Sequence, residues 1–105
     1  MNIQIFARKK CFDSKKAERW FKERRIKFQL IDIDRFGMSR GELTSVKNAV
    51  GLAALSDAPE IAYLAYEADK LEKLYEWPEL INTPIVRNGK QATVGYCPEV
   101  WQSWE

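Results

Sequence analysis

Two stretches with alternating apolar and polar residues flank a stretch with helical periodicity in the first third of the chain. Residues 2–7 and 27–34 place apolar side chains at alternate positions, which predicts two strands. Residues 15–25 repeat apolar side chains at the i, i+3 and i+4 positions of a helix. A strand, a helix and a strand in about 30 residues predict a right-handed parallel βαβ unit.

The middle of the chain, residues 39–80, predicts helices only. Ser39 with Glu42 three residues later forms a capping-box pattern, so a helix is expected to begin there and to run to about Val50. Residues 58–77 are rich in alanine, leucine, tyrosine and charged side chains, which predicts one or two further helices.

The last part of the chain predicts a hairpin followed by a helix. Residues 85–87 and 91–94 are short apolar runs on either side of Asn88-Gly89, a dipeptide that favours a type I′ turn. Residues 99–104 predict a final helix, whose two tryptophans are expected to pack in the core.

Composition directs attention to thiol chemistry. The 105 residues include no histidine, which excludes a Ser-His-Asp triad, a Cys-His dyad and zinc sites with imidazole ligands. Cys11 and Cys97 are too few for a disulfide framework and too distant in sequence for a compact metal knuckle, so no metal site is expected. No apolar run approaches the roughly 20 residues of a membrane span, and the first ten residues lack the order of a signal peptide. We therefore expect a cytoplasmic protein without membrane contact.

Cys11 lies in the most basic part of the chain. Residues 1–27 hold ten lysines and arginines against three acidic residues, a net charge of +7, whereas the remainder carries −5. A thiol at the start of a helix also meets unpaired N–H groups and the positive end of the helix dipole. We expect a reactive thiol with a lowered pKa, the alternative being an inert buried cysteine. The basic residues are interleaved with acidic ones and accompany no recognition motif, so a nucleic-acid partner is not expected.

Three segments resemble the arsenate reductase (ArsC) and Spx family of the thioredoxin-like superfamily. They are the run from Ile5 to Ala17 around Cys11, the sequence Ile-Asn-Thr-Pro-Ile-Val at residues 81–86, and Ala-Thr-Val-Gly-Tyr at residues 92–96. The resemblance covers nearly the whole chain and implies one thioredoxin-like α/β domain over residues 1–105. Its mixed four-stranded sheet would be flanked by helices, with residues 39–80 as a helical insertion between the βαβ and ββα units.

The resemblance also implies an activity, that of a monothiol oxidoreductase with Cys11 as the thiolate nucleophile. Glutathione or glutaredoxin would be the reductant, no cofactor would be bound, and the substrate would be a small oxyanion or an oxidised thiol. Thr83–Pro84 would be a cis-proline turn opposite Cys11, and Gly95 would let a ligand approach closely. The residues expected to bind the substrate or the thiol are Lys10, Ser14, Thr83, Pro84 and Gly95.

Ser14 stands where dithiol members of the superfamily have a second cysteine, so an outside thiol must resolve a mixed disulfide. The Ser14 hydroxyl either bonds the Cys11 sulfur or caps the helix, a role open to Asp13 as well. Cys97 is the internal alternative for resolving Cys11, and we favour a bystander role for it.

This chain departs from the family pattern at the arginines that hold an oxyanion. Such reductases have an arginine directly before the cis-proline, where this chain has Thr83. The arginines that the chain does have, Arg8, Arg40 and Arg87, occupy no position that matches the family's. Weak or absent arsenate reduction is therefore expected. The alternative function is an Spx-like regulator that binds RNA polymerase, although those proteins typically carry a Cys-x-x-Cys switch at this turn.

Overall fold

The computed structural model describes residues 1–104, in which four strands form one mixed sheet. The strands are β1 (Ile3–Ala7), β2 (Phe28–Asp32), β3 (Ile85–Asn88) and β4 (Gln91–Val94). Their order is β2-β1-β3-β4, with β1 parallel to β2 and antiparallel to β3, and with β3 antiparallel to β4. The predicted mixed four-stranded sheet and its parallel βαβ unit are therefore confirmed.

The helices cover the two faces of this sheet. They are α1 (Phe12–Glu23), α2 (Ile33–Phe36), α3 (Arg40–Val50), α4 (Leu52–Leu55), α5 (Pro59–Ala62), α6 (Glu67–Glu76) and α7 (Pro98–Trp101), with a 3₁₀ turn at Pro78–Leu80. The capping box of α3 is formed as predicted: Ser39 Oγ accepts from the Glu42 N–H at 3.1 Å, and Glu42 Oε1 accepts from the Ser39 N–H at 2.9 Å. The helices between β2 and β3 thus form the expected insertion.

The core has one layer on each side of the sheet. On one side, Ala17, Trp20 and Phe21 of α1 are buried together with Trp101 and Trp104, as their spacing predicts. On the other side, the insertion packs on the sheet; the buried residues there are Phe6, Ile33, Met38, Leu43, Val46, Leu55, Ile61, Leu74, Ile81 and Ile85. Both layers are apolar, which fixes which face of β1 and β3 each helix covers.

Helix α1 begins earlier than the sequence predicted. Cys11 itself is the N-cap residue, with extended backbone angles and no side-chain cap, so the prediction that Asp13 or Ser14 caps this helix is wrong. The reason is a tight turn before the helix, closed by the Cys11 N–H donating to the Arg8 carbonyl oxygen at 3.0 Å. The helical geometry therefore starts at Phe12, and Ser14 lies buried inside the first turn.

Strand β2 is shorter than the predicted strand over residues 27–34. It ends because the Asp32 side chain accepts from the Asp34 N–H at 3.2 Å and caps α2, which the alternation did not indicate. The turn over residues 33–36 directs Ile33 into the core, where it is fully buried. Ile33 therefore reaches the core as the first residue of α2 and not as part of strand β2.

The hairpin turn and the last helix also differ from the prediction. Asn88 pairs directly with Gln91, so the two turn residues are Gly89 and Lys90. Gly89 has a φ of 62° and Lys90 has no positive φ, which excludes the predicted type I′ turn because that type needs both. The last helix ends at Trp101 and does not extend over residues 99–104.

Candidate thiol site

Cys11 lies between the carboxyl end of β1 and the first turn of α1. Its side chain is partly exposed, and its backbone is fixed by the turn to Arg8 and by the Lys15 N–H, which donates to the Cys11 carbonyl oxygen at 3.3 Å. The Cys11 Sγ donates to the carbonyl oxygen of Thr83 at 3.5 Å, across 72 positions of sequence. The fold thus brings the first turn of α1 against the segment that leads into β3.

The peptide bond between Thr83 and Pro84 is cis, as the resemblance implied. Pro84 is buried, and its carbonyl oxygen accepts from the Gly95 N–H at 2.8 Å, which places Gly95 beside the same turn. Gly95 has a φ of 90°, and a Cβ built on it would meet no atom within 4 Å. Backbone conformation therefore explains the glycine here, while the space beside it is open.

The Ser14 hydroxyl holds the turn and contributes to the lowered pKa of the Cys11 thiol. Its side chain is only 2% exposed, and its Oγ accepts from the Arg8 N–H at 3.2 Å. Because a hydroxyl that accepts one hydrogen bond keeps its own proton to donate, Ser14 can also bond the Cys11 sulfur. Of the two roles predicted for Ser14, the structure favours the bond to sulfur, since the cap position belongs to Cys11.

Hydrogen bonding sets the pKa of the Cys11 thiol. Partial burial alone would raise this pKa, but the Ser14 and Thr83 side chains and the backbone N–H groups of Ser14 and Asp13 lower it, with a net pKa below the usual value. The contribution of the first-turn N–H groups was predicted from the helix N-terminus. The neighbouring lysines, expected to contribute a field, are exposed to solvent, and the short-range hydrogen bonds account for the lowering. Lys10 is one of these exposed lysines, at the outer side of the turn.

Arg8 has a role that the sequence did not indicate. Its Nε donates to the Asp34 carboxylate at 2.9 Å, and its Nη1 and Nη2 donate to the carbonyl oxygens of Ile81 and Pro78 at 3.0 and 2.9 Å. The Asp34 carboxylate therefore offsets the positive charge that Arg8 would otherwise add near Cys11. These partners are distant in sequence, so no local pattern could have revealed them.

Cys97 is the N-cap residue of α7. Its Sγ donates to the Val94 carbonyl oxygen at 3.5 Å, and it packs against the core layer below α1. Burial raises the pKa of the Cys97 thiol, with the negative charges of Glu99 and Asp13 adding to the effect. Both cysteines are free thiols, and a protonated Cys97 favours the bystander interpretation.

The other two arginines considered from the sequence are occupied elsewhere. Arg40 pairs with Glu72 at 2.6 Å on the outer side of the insertion. The Arg87 Nη1 donates to Gln4 Oε1 at 2.7 Å. Within residues 1–104 no arginine hydrogen-bonds the Cys11 sulfur, no cluster of three metal-ligating side chains occurs, and no helix is long and apolar enough to cross a membrane.

Solved structures of proteins named as arsenate reductases and redoxins resemble this chain. Arsenate reductase from Vibrio cholerae matches with a TM-score of 0.81 and 22% identity, over 95% of this chain and 94% of that one. The YffB protein matches with a TM-score of 0.82 and 20% identity, over 96% of each chain. The glutaredoxin-like protein NrdH-redoxin from Escherichia coli matches with a TM-score of 0.56 and 20% identity, over 100% of this chain and 96% of that one.

These likenesses, all under 25% identity, show the fold. The chain has the thioredoxin-like fold, with a helical insertion between its βαβ and ββα units. A scan against protein-family models finds no match, and a search of curated proteins finds none either.

Proposed function

We propose that this chain is a monothiol oxidoreductase, in which the Cys11 thiolate reduces an oxidised thiol compound and glutathione or glutaredoxin supplies the electrons. The observation that carries the proposal is the set of donors around the Cys11 sulfur, contributed by the side chains of Ser14 and Thr83 and by the backbone N–H groups of Asp13 and Ser14 in the first turn of α1. They lower the pKa of a thiol that is still partly exposed, and the thiolate is the form that attacks disulfides.

The reaction consists of two thiol–disulfide exchanges. In the first, the Cys11 thiolate attacks one sulfur of a glutathione mixed disulfide; the S–S bond breaks, the substrate thiolate leaves and takes a proton from water, and a Cys11–glutathione disulfide forms. In the second, a free glutathione thiolate attacks the glutathione sulfur of that disulfide, which releases the Cys11 thiolate and oxidised glutathione. The net result is one reduced substrate thiol and one oxidised glutathione.

The surroundings of the sulfur favour an organic disulfide over a small oxyanion. Phe12, adjacent to Cys11 in the sequence, is 81% exposed, so apolar contact area is available beside the thiol. An oxyanion instead needs charged donors in a fixed fork, and Arg8, the arginine nearest to Cys11 in the sequence, has all three guanidinium nitrogens engaged. Arsenate is therefore a poor substrate under this proposal.

Two features support glutathione as the reductant. Ser14 provides a hydroxyl where a second thiol would be needed for internal resolution, so the mixed disulfide must be resolved from outside. Within residues 1–104, no carboxylate pairs with Lys9, Lys10, Lys15 or Lys16, which leaves positive charge near the thiol for the carboxylates of glutathione. The two free thiols support a reducing compartment such as the cytoplasm.

The proposal is tested by turnover of a glutathione–cysteine mixed disulfide with glutathione, glutathione reductase and NADPH. Wild type and Cys97→Ser are expected to consume NADPH at similar rates, and Cys11→Ser to show only the background rate. Equal rates for wild type and Cys11→Ser would refute the proposal. If wild type is also inactive with glutaredoxin, and RNA polymerase subunits are recovered from cell extract on the immobilised chain, the regulator alternative replaces it.

A further inference from the structure

Arg8 connects the two segments that face each other across the thiol site. Its side chain makes four hydrogen bonds: two from Nε to the Asp34 carboxylate at 2.9 and 3.2 Å, and one each from Nη1 and Nη2 to the carbonyl oxygens of Ile81 and Pro78. The side chain is 22% exposed, so these bonds are partly shielded from water. Every guanidinium nitrogen therefore has a protein acceptor.

The backbone of Arg8 belongs to the turn that holds Cys11. Its N–H donates to Ser14 Oγ at 3.2 Å, and its carbonyl oxygen accepts from the Cys11 N–H at 3.0 Å. A movement of Arg8 would consequently move both Cys11 and the hydroxyl that bonds the sulfur. The side chain and the backbone of this one residue thus link the Cys11 turn to residues 78–81.

The segment on the other side of the site leads directly into Thr83. Ile81 is buried in the core, and Asn82 is held by α4: its N–H donates to the Leu55 carbonyl oxygen at 2.7 Å and its Nδ2 to the Ala54 carbonyl oxygen at 3.1 Å. Arg8 supplies further bonds to the same segment, at the carbonyl oxygens of Ile81 and Pro78. The position of Thr83 relative to the Cys11 sulfur therefore depends on contacts from both α4 and Arg8.

We propose that Arg8 is a positioning residue for Cys11, in which the guanidinium fork sets the spacing between the Cys11 turn and Thr83. The role follows from geometry and not from charge, because the Asp34 carboxylate already pairs with the guanidinium. A lysine has a single nitrogen on a flexible stem and cannot bond one carboxylate and two separate carbonyl groups in the same arrangement. The consequence for thiol chemistry rests on the proposed function, whereas the consequence for backbone order does not.

The first test measures alkylation of Cys11 by iodoacetamide against pH, in chains that also carry Cys97→Ser. Arg8→Met and Arg8→Lys are each expected to react about tenfold more slowly at pH 7, because the thiolate fraction falls when the sulfur loses its donors. Arg40→Met is the matched control, since it removes an ion-paired arginine of the insertion, and it is expected to retain the parent rate. A parent rate in Arg8→Lys would show that charge suffices, which overturns the proposal.

The second test follows amide hydrogen exchange of Cys11 and Asn82, which belong to the two segments that Arg8 links and whose N–H groups are both hydrogen-bonded. Arg8→Met is expected to accelerate both at least about tenfold, and Arg40→Met neither, because only the first opens the two segments. Unchanged exchange at both amides would overturn the proposal, even if the parent thiol had an ordinary pKa and the proposed function had failed. If Arg8→Met does not fold, Asp34→Asn replaces it, because this variant weakens the ion pair but leaves the contacts of Arg8 with the two carbonyl groups. Asp34→Asn is expected to accelerate the exchange of both amides by a smaller factor, and an unchanged exchange rate would equally overturn the proposal.

Discussion

Replacing Ser14 with alanine separates the hydrogen bonding of the Cys11 thiolate from the stability of the fold. The Ser14 hydroxyl accepts from the Arg8 N–H at 3.2 Å and lowers the pKa of the Cys11 thiol. Ser14→Ala should therefore raise the pKa of Cys11 and slow its alkylation at pH 7. A hydrogen bond to a charged group contributes about 1.5 kcal/mol at the low end of its range, which corresponds to roughly a tenfold change in the thiolate fraction.

The same substitution also leaves a backbone donor without a partner. Ser14 is 2% exposed, so the Arg8 N–H loses its acceptor in a place that water reaches poorly. The expected cost is about 1–2 kcal/mol in the free energy of unfolding. The matched control is Ser39→Ala, which removes the capping box of α3 at a similar cost of about 1 kcal/mol but makes no contact with the sulfur.

The assay combines urea unfolding with the rate of iodoacetamide alkylation between pH 5 and 10. Both variants should unfold at lower urea concentration than the parent, whereas Ser14→Ala alone should shift the alkylation profile to higher pH. An unshifted profile in Ser14→Ala would refute the assignment of the Ser14 hydroxyl as a donor to the thiolate. An equal shift in Ser39→Ala would show that the profile reports stability and not a local hydrogen bond.

Three further predictions address substrate and charge. Wild type should show weak or no glutathione-dependent arsenate reduction, and Thr83→Arg should raise any residual rate, as measured by arsenite formation; robust wild-type turnover at micromolar arsenate would contradict this. A change from high to low salt should accelerate the alkylation of Cys11 by the anionic iodoacetate more than its alkylation by the neutral iodoacetamide, because the lysines that flank Cys11 in the sequence are exposed. An equal salt dependence of the two rates would contradict a positive field at the thiol. The pKa of Cys11 is lowered on folding, so the Cys11 thiolate should stabilise the fold above the ordinary thiol pKa, and this stabilisation should be lost as the pH falls through the folded-state pKa. In urea unfolding, the free energy of unfolding of Cys97→Ser should therefore rise above that of Cys11→Ser/Cys97→Ser as the pH increases. Parallel pH dependences of the two chains would contradict this prediction.

The sequence predicted the layout of this fold because its strongest signals are periodic. The apolar positions of α1 at Ala17, Trp20 and Phe21 fix its buried face, and the Ser39 capping box fixes the start of α3. Boundaries set by local hydrogen bonds were predicted less well, since the Asp32 cap that ends β2 and the turn that starts α1 have no periodic signature.

The candidate site was predictable only in part for a related reason. Cys11 at a helix start is a local feature, and Thr83–Pro84 opposite it followed from the resemblance. The environment of the sulfur, however, depends on contacts across the fold, such as Cys11 with Thr83 and Arg8 with residues 78–81. Nearby charge in the sequence suggested lysines as the cause of a lowered pKa, whereas the structure assigns it to hydrogen bonds.

The most direct test of the central claim is the pH dependence of Cys11 alkylation in the Cys97→Ser chain, followed by mass spectrometry of the intact protein. The hydrogen bonds from Ser14, Thr83 and the first turn of α1 predict a titration midpoint below that of an unperturbed thiol, about 8.5. A midpoint at or above about 8.5 would contradict the claim that the fold holds Cys11 as an activated thiolate.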